Sequence, residues 1–225
     1  MRKFFLLLML VLLSLLTPAM AQEIYWVKEF KGKAYAVALA PNGDIIVAGI
    51  TDSFGAGSND VWVLRLDENG NVKWQKTYGG SGSDWAEAVT ITPNGDIIVV
   101  GETRSFGVGG LDVWVLQLDE NGNVKWQKTY GGTKSDWAWA VAITPNGDII
   151  VAGITWSFGA GEDDFWVLRL DEEGNIKWQK TYGGWGVDLA RAVAIAPDGD
   201  GVLGGDYVIR FNVDDAPLYE GDGWG

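Results

Sequence analysis

Residues 85–132 read WAEAVTITPNGDIIVVGETRSFGVGGLDVWVLQLDENGNVKWQKTYGG, and the fold is decided by what this stretch repeats. Its Pro-Asn-Gly-Asp-Ile-Ile-Val string occurs at Pro41, Pro93 and Pro145, with a degenerate Pro-Asp-Gly-Asp-Gly-Val at Pro197, each 52 residues after the last. Between residues 36–87 and 88–139, 39 of 52 positions are identical. Self-similarity at such a period marks a solenoid, a propeller or an array. Within the unit, four strand signals alternate with turn chemistry. Strand A covers 85–92, and Asn94-Gly95 then accepts the positive φ of a tight hairpin. Strand B covers 97–103 and leads into a Gly-rich loop, 104–111. Strand C covers 112–118, residues 119–123 form a second hairpin turn, and strand D covers 124–130. No segment shows a 3.6-residue apolar period, so helices are not expected.

The strands differ in how much cover they demand. Ile97-Ile98-Val99-Val100 and Val113-Trp114-Val115-Leu116 are apolar on both faces, so they must be covered on both sides. Strand D alternates Val124, Trp126 and Tyr130 with Lys125, Gln127 and Thr129, which suits a half-exposed edge. Four-stranded antiparallel meanders, dry inside and wet at the outer strand, describe the blades of an all-β propeller. A β-solenoid would show shorter coils. Residues 23–30 (EIYWVKEF) match 71–78 (NVKWQKTY), so the first strand is a D without its A, B and C. Three full units follow, and the end supplies A (189–196), a short B (201–204) and a C-like run (207–211). The strand sum is sixteen, which fits four blades with the N-terminal strand pairing beside 207–211 to close the ring. The rival arrangements are half of an eight-bladed ring, which a homodimer would complete, and a truncated copy of a larger ring.

Composition narrows the chemistry. The 225-residue chain has no Cys and no His, which excludes disulfides, zinc–thiolate sites, Cys nucleophiles and Ser-His-Asp triads. Arg2 and Lys3, the apolar run 4–16 and Ala19-x-Ala21 form an export signal over residues 1–21; the run is too short to span a bilayer as a helix. An uncleaved anchor is the rival reading. Without that segment, 15 basic residues face 30 acidic ones, a surface that repels nucleic acid. The expected division is a signal at 1–21, a propeller at 22–213 and an irregular tail at 214–225. After cleavage no membrane span is expected, and the product is secreted or held at the cell surface.

The frame GDIIVAG-T-SFG-G--D-WVL-LD-NGN--WQKTYGG resembles the secreted bacterial and archaeal β-propeller repeats of the SBBP type, and more loosely the quinoprotein-like repeats. It covers nearly all of residues 23–212. The resemblance implies a propeller in an exported or surface setting and carries no catalytic motif. Quinoprotein-like repeats include cofactor enzymes, but no residue here matches their cofactor site, so no cofactor is expected.

Candidate sites follow from where the copies disagree. The B-to-C and D-to-A loops share one end of the ring and vary there. Position 52 is Asp, and its counterparts are Arg104 and Trp156; Ser81 has counterparts Thr133 and Trp185. Near the start of strand A, Glu87 aligns with Tyr35, Trp139 and Arg191, while Trp85 aligns with Lys33, Trp137 and Leu189. Exposed Trp is costly without a partner. A binding face built from Trp156, Trp185, Trp85, Trp137, Trp139, Arg104, Lys134, Arg191 and Glu87 is therefore expected, taking a carbohydrate or a protein. The repeated Trp62, Trp114 and Trp166 are read as packing. The repeated Asp60, Asp112, Asp164, Asp84, Asp136 and Asp188 are read as acceptors for loop N–H groups, with no metal. The expected function is an exported, non-catalytic binding propeller. The rivals are a structural envelope module and a propeller glycoside hydrolase or lyase, which would show an acid pair of raised pKa in the axial mouth.

Overall fold

The computed structural model describes residues 26–161 and 163–214. The expected leader at 1–21 and all but the first residue of the expected tail at 214–225 lie outside these residues. Fifteen strands fall into four antiparallel sheets in chain order. Blade 1 comprises β1 (Lys33–Leu39), β2 (Ile45–Thr51), β3 (Asp60–Leu66) and β4 (Val72–Tyr78). Blade 2 comprises β5 (Asp84–Ile91), β6 (Ile97–Thr103), β7 (Asp112–Leu118) and β8 (Val124–Tyr130). Blade 3 comprises β9 (Asp136–Ile143), β10 (Ile149–Thr155), β11 (Asp164–Leu170) and β12 (Ile176–Tyr182). Among the described residues, blade 4 has three strands, β13 (Ala190–Ile195), β14 (Gly201–Gly205) and β15 (Val208–Phe211).

The two middle strands of blades 2 and 3 are buried along their whole length, whereas their fourth strands are mostly exposed or half-buried, with Tyr130 and Trp178 the buried exceptions. Burial follows the apolar pattern because each blade is sandwiched by its neighbours. Trp114 shows the principle: it is 1% exposed and joins Ile46, Ala48, Val61 and Val63 of blade 1 to Val99 and Leu116 of blade 2. Trp166 does the same between blades 2 and 3. Each fourth-strand Trp then hooks the next blade. Nε1 of Trp74 donates to the Glu120 carbonyl at 3.0 Å, Trp126 to Glu172 at 3.0 Å and Trp178 to Val213 at 3.0 Å.

The four-bladed closure expected from the strand count is not what the structure shows. Residues 26–30 form no strand, and β15 pairs with β14 alone among the described residues. The segment lies on blade 1 instead. Trp26 Nε1 donates to the Glu68 carbonyl at 3.1 Å, and Phe30 packs on Trp62 with ring centroids 6.0 Å apart. This is the seat that Trp74 takes on blade 2, so among the described residues the match of Trp26 to Trp74 holds, while 26–30 make no pairing with 207–211. The innermost strands β1, β5, β9 and β13 pack successively, but β1 and β13 do not pack on each other in that way. The blades form an open arc.

Candidate functional site

The loop-rich end is built by a repeated network of carboxylates. Asp84 accepts hydrogen bonds from Gly80 N at 2.9 Å and Ser105 Oγ at 2.6 Å, and also from Thr103 Oγ1. Asp136 repeats this with Gly132 N at 2.9 Å, Ser157 Oγ at 2.7 Å and Thr155 Oγ1. Asp112 accepts from Val108 N at 2.9 Å and Asp164 from Ala160 N at 3.1 Å. Burial pushes the Asp112 carboxyl up to about 6; the Val108 bond opposes this and the nearby Asp136 adds to it. These side chains hold the loops, as their repetition implied, and among the described residues no group of three or more acids is placed to hold a metal ion.

On this frame four of the unit-specific residues sit at a bulge in the first strand of each blade. In every blade the pairing of the first two strands skips one residue, at Tyr35, Glu87, Trp139 and Arg191. A bulge re-aims the side chain it carries. The bulge itself requires Gly opposite: a Cβ on Gly101 would collide with the Trp85 carbonyl oxygen, and one on Gly153 with that of Trp137. Four strands from a near-identical template thus present Tyr, Glu, Trp and Arg at one level. Two of them touch, with the Arg191 guanidinium 5.0 Å from the Trp139 ring centroid.

The remaining aromatic candidates sit farther out. Trp137, on β9, meets Trp156 edge to face at 5.0 Å, and Trp156 opens the β10–β11 loop with 45% of its surface exposed. Trp185, in the β12–β13 loop, is 91% exposed. The two loops run side by side, because Asp163 bridges Val187 and the Asp188 N–H donates to the Asp163 carbonyl at 2.8 Å. Trp156 and Trp185 therefore share one end of the arc, without a ring contact between them. Arg104 and Lys134 are exposed in the neighbouring loops, fixed through their backbones: Arg104 N donates to Ser83 O at 2.9 Å and Lys134 N to Ser157 Oγ at 3.2 Å. Trp85 is half-buried and pairs across the sheet with Glu102.

Glu102 is the functional candidate that the sequence reading missed. It is 7% exposed, and its Oε2 has no hydrogen-bond partner. Burial pushes its carboxyl up to about 8, with Glu87 adding repulsion, and burial raises Glu87 as well. The signal was present in the repeat: the counterparts of Glu102 are Ile50 and Ile154. A neutral carboxyl at the loop-rich mouth is a hydrogen-bond donor as well as an acceptor.

At the opposite end a groove of about 440 Å³ opens between blades 2 and 3, lined by Pro93, Asp96, Gln117, Trp126, Pro145 and Glu172 among others. One substitution coincides with it. Arg65 spans blades 1 and 2 by donating to Glu120 O at 2.6 Å, and Arg169 spans blades 3 and 4 by donating to Val213 O. Blade 2 carries Gln117 at this position, which reaches only Asp96 at 2.6 Å in its own blade. Its one aromatic is the packing residue Trp126, and none of the candidate residues lines it, so this groove does not coincide with the candidate face.

Two stretches of the chain, 40–72 and 144–176, match the family described as a domain of unknown function (DUF5122) beta-propeller. The repeats are propeller blades. The structure of a protein of unknown function from Bacteroides caccae superposes with a TM-score of 0.56 at 12% identity, over 85% of this chain and 61% of that one. The extracellular domain of a putative hybrid two-component system from B. thetaiotaomicron superposes with a TM-score of 0.50 at 11% identity, over 84% of this chain and 22% of that one. The regulatory protein FlaEY of Caulobacter vibrioides is 24% identical over 190 residues, 77% of this chain and 18% of that protein. The propeller chain thus spans about three fifths of its first structural relative and under a fifth of the curated one. Among the described residues, no helix is long and apolar enough to cross a membrane.

Proposed function

We propose that this propeller is an exported, non-catalytic module that binds a glycan on its loop-rich end. The observation that carries the reading is the exposure of Trp156 and Trp185 on adjoining loops, with Trp137 holding Trp156 upright at 5.0 Å. Aromatic faces stack on sugar rings, and the Arg191–Trp139 pair and the Glu87–Glu102 carboxyls add polar groups that fix orientation. The acidic surface favours neutral or cationic sugars over sulfated or uronic ones. Extracellular domains among the structural relatives and the leader at residues 1–21 support an exported setting. A protein ligand gripped by the same aromatics is the neighbouring reading.

The test is a glycan array probed with the protein lacking residues 1–21. The double substitution Trp156→Ala and Trp185→Ala should remove binding by at least tenfold while costing under about 1 kcal/mol of stability, as surface changes do. A double mutant that unfolds, or that binds as before, overturns the reading. One observation favours a second reading: burial and the nearby Glu87 raise the Glu102 carboxyl to about 8, the state that a glycoside hydrolase requires of its general acid. Release of reducing sugar from any array hit, abolished by Glu102→Gln, would move the assignment to an enzyme.

A further inference from the structure

The two ends of the arc are complementary halves of the junction that occurs three times inside it. We infer that a second copy of this chain joins each end, so that residues 26–30 of one copy become the missing fourth strand beside β15 of the other, and two copies close a ring of eight blades.

At the leading end, blade 1 presents a surface that the other blades bury against their predecessor. Val89 of β5 faces blade 1 and is 9% exposed, whereas its counterpart Val37 is 64% exposed. Leu39, the counterpart of Ile91, is exposed likewise. Only part of this surface is covered, and what covers it is Trp26 and Phe30 against Trp62, Ile45 and Val47. At the trailing end, blade 4 presents the opposite surface. Val167 of β11 faces blade 4 and is fully buried, while its counterpart Val208 is 79% exposed. Ala192 and Ala194, counterparts of residues that face forward in the other blades, are exposed too. The outer edge of β15 carries no partner strand among the described residues.

The internal junctions state how these surfaces fit. Between blades 1 and 2, Ala36, Ala38 and Val63 meet Val89 and Ile91, and Trp74 and Tyr78 of β4 lie on the next blade. A junction of blade 4 with blade 1 of another copy would set Ala192, Ala194 and Val208 against Val37 and Leu39. It would bring β15 alongside residues 26–30, which already occupy the Trp74 seat. The register follows from β3 and β4, where Arg65 pairs with Trp74 and Val63 with Lys76. Arg210 should pair with Trp26, and Val208 with Lys28. The partner is a second copy rather than the chain's own far end, because β1 and β13 do not pack on each other as the successive innermost strands do. An interface between unlike surfaces forms a ring when its rotation closes.

The chain has no Cys, so a cross-strand disulfide gives a clean test. Lys28→Cys and Val208→Cys are placed together in one chain; both positions are exposed, so folding should survive. Under mild oxidation the double variant should run without reductant as one discrete species of twice the chain mass, and each single variant should stay uncrosslinked. Light scattering of the unmodified protein should give twice the mass of one chain. An internal disulfide at single-chain mass would show a closed four-bladed ring and overturn the inference. A ladder of higher multiples, or no cross-link with a single-chain mass, overturns it as well. Glycan binding at Trp156 and Trp185 can fail with the pair intact, so the two proposals are judged separately.

Discussion

At the scale of residues, the copies act as internal controls for one another. Glu102 stands where Ile50 and Ile154 stand, and it is nearly as buried as they are. Its carboxyl ionises near 4.5 when solvated and at about 8 in the fold. Because the folded value is the higher one, the fold is unpenalised below about pH 4.5 and loses stability as pH rises toward 8. The loss at pH 7 should be about 3 kcal/mol, at 1.4 kcal/mol for each unit that pH 7 lies above 4.5. Urea unfolding measured from pH 4.5 to 8 should show this slope, and Glu102→Gln should flatten it; an equal slope in both proteins would place the charge elsewhere. Natural drift rarely keeps so unfavourable a residue, which is why Glu102 belongs with the candidate site. Its position was legible in the repeat, but the Ile-to-Glu change sits inside a strand, and loop variation drew the sequence reading outward. The exposed Trp156 and Trp185 were legible because they replace polar or small residues in loops.

At the scale of elements, the hairpin turns and alternation fixed strand positions within a residue: 97–103, 112–118 and 124–130 are β6, β7 and β8 as expected, and 85–92 became Asp84–Ile91. What sequence could not give is the bulge. It appears only when β5 and β6 are laid side by side, with Glu87 left out between Ala86 and Ala88. The groove between blades 2 and 3 was equally hidden, because it depends on how far a side chain reaches across a junction. Gln117→Arg should let a guanidinium donate to the Glu172 carbonyl, as Arg65 does to Glu120 at 2.6 Å. It would keep an acidic partner in Asp96, just as Arg65 keeps Asp44 at 2.7 Å. A charged donor meeting a carbonyl in this setting adds about 1–2 kcal/mol. The midpoint of urea unfolding should rise accordingly; an unchanged or lower midpoint would show that the turns cannot approach to close the groove.

At the scale of the whole molecule, the strand count of sixteen was right in kind and wrong in closure. Adding strands along a chain cannot report the angle between blades, and that angle decides whether four blades return on themselves. An arc of blades also has its own thermodynamics. Each blade contacts only its neighbours, so stability is close to a sum of blade and junction contributions. Trp114 fills the junction between blades 1 and 2, where it is buried among residues of both and packs on Phe106 at 5.2 Å. Trp114→Ala removes a large side chain from a tight core and should cost on the order of 3–5 kcal/mol. In a closed four-bladed ring that loss would be shared by blades held from both sides, and unfolding would stay a single transition. In an arc, blade 1 with its Trp26 cover is held to the rest of its own chain by this junction alone. Calorimetry of Trp114→Ala, diluted until the copies separate, should therefore resolve two transitions where the unsubstituted protein under the same conditions shows one, with the earlier one belonging to blade 1. Fluorescence of Trp62 and Trp26 in that variant, compared with Trp62→Phe as a control, should follow the earlier transition. A cost below about 1 kcal/mol would show that the ring is not core. A single transition carrying the full cost would show that the blades unfold together and that the arc is not the unit of stability.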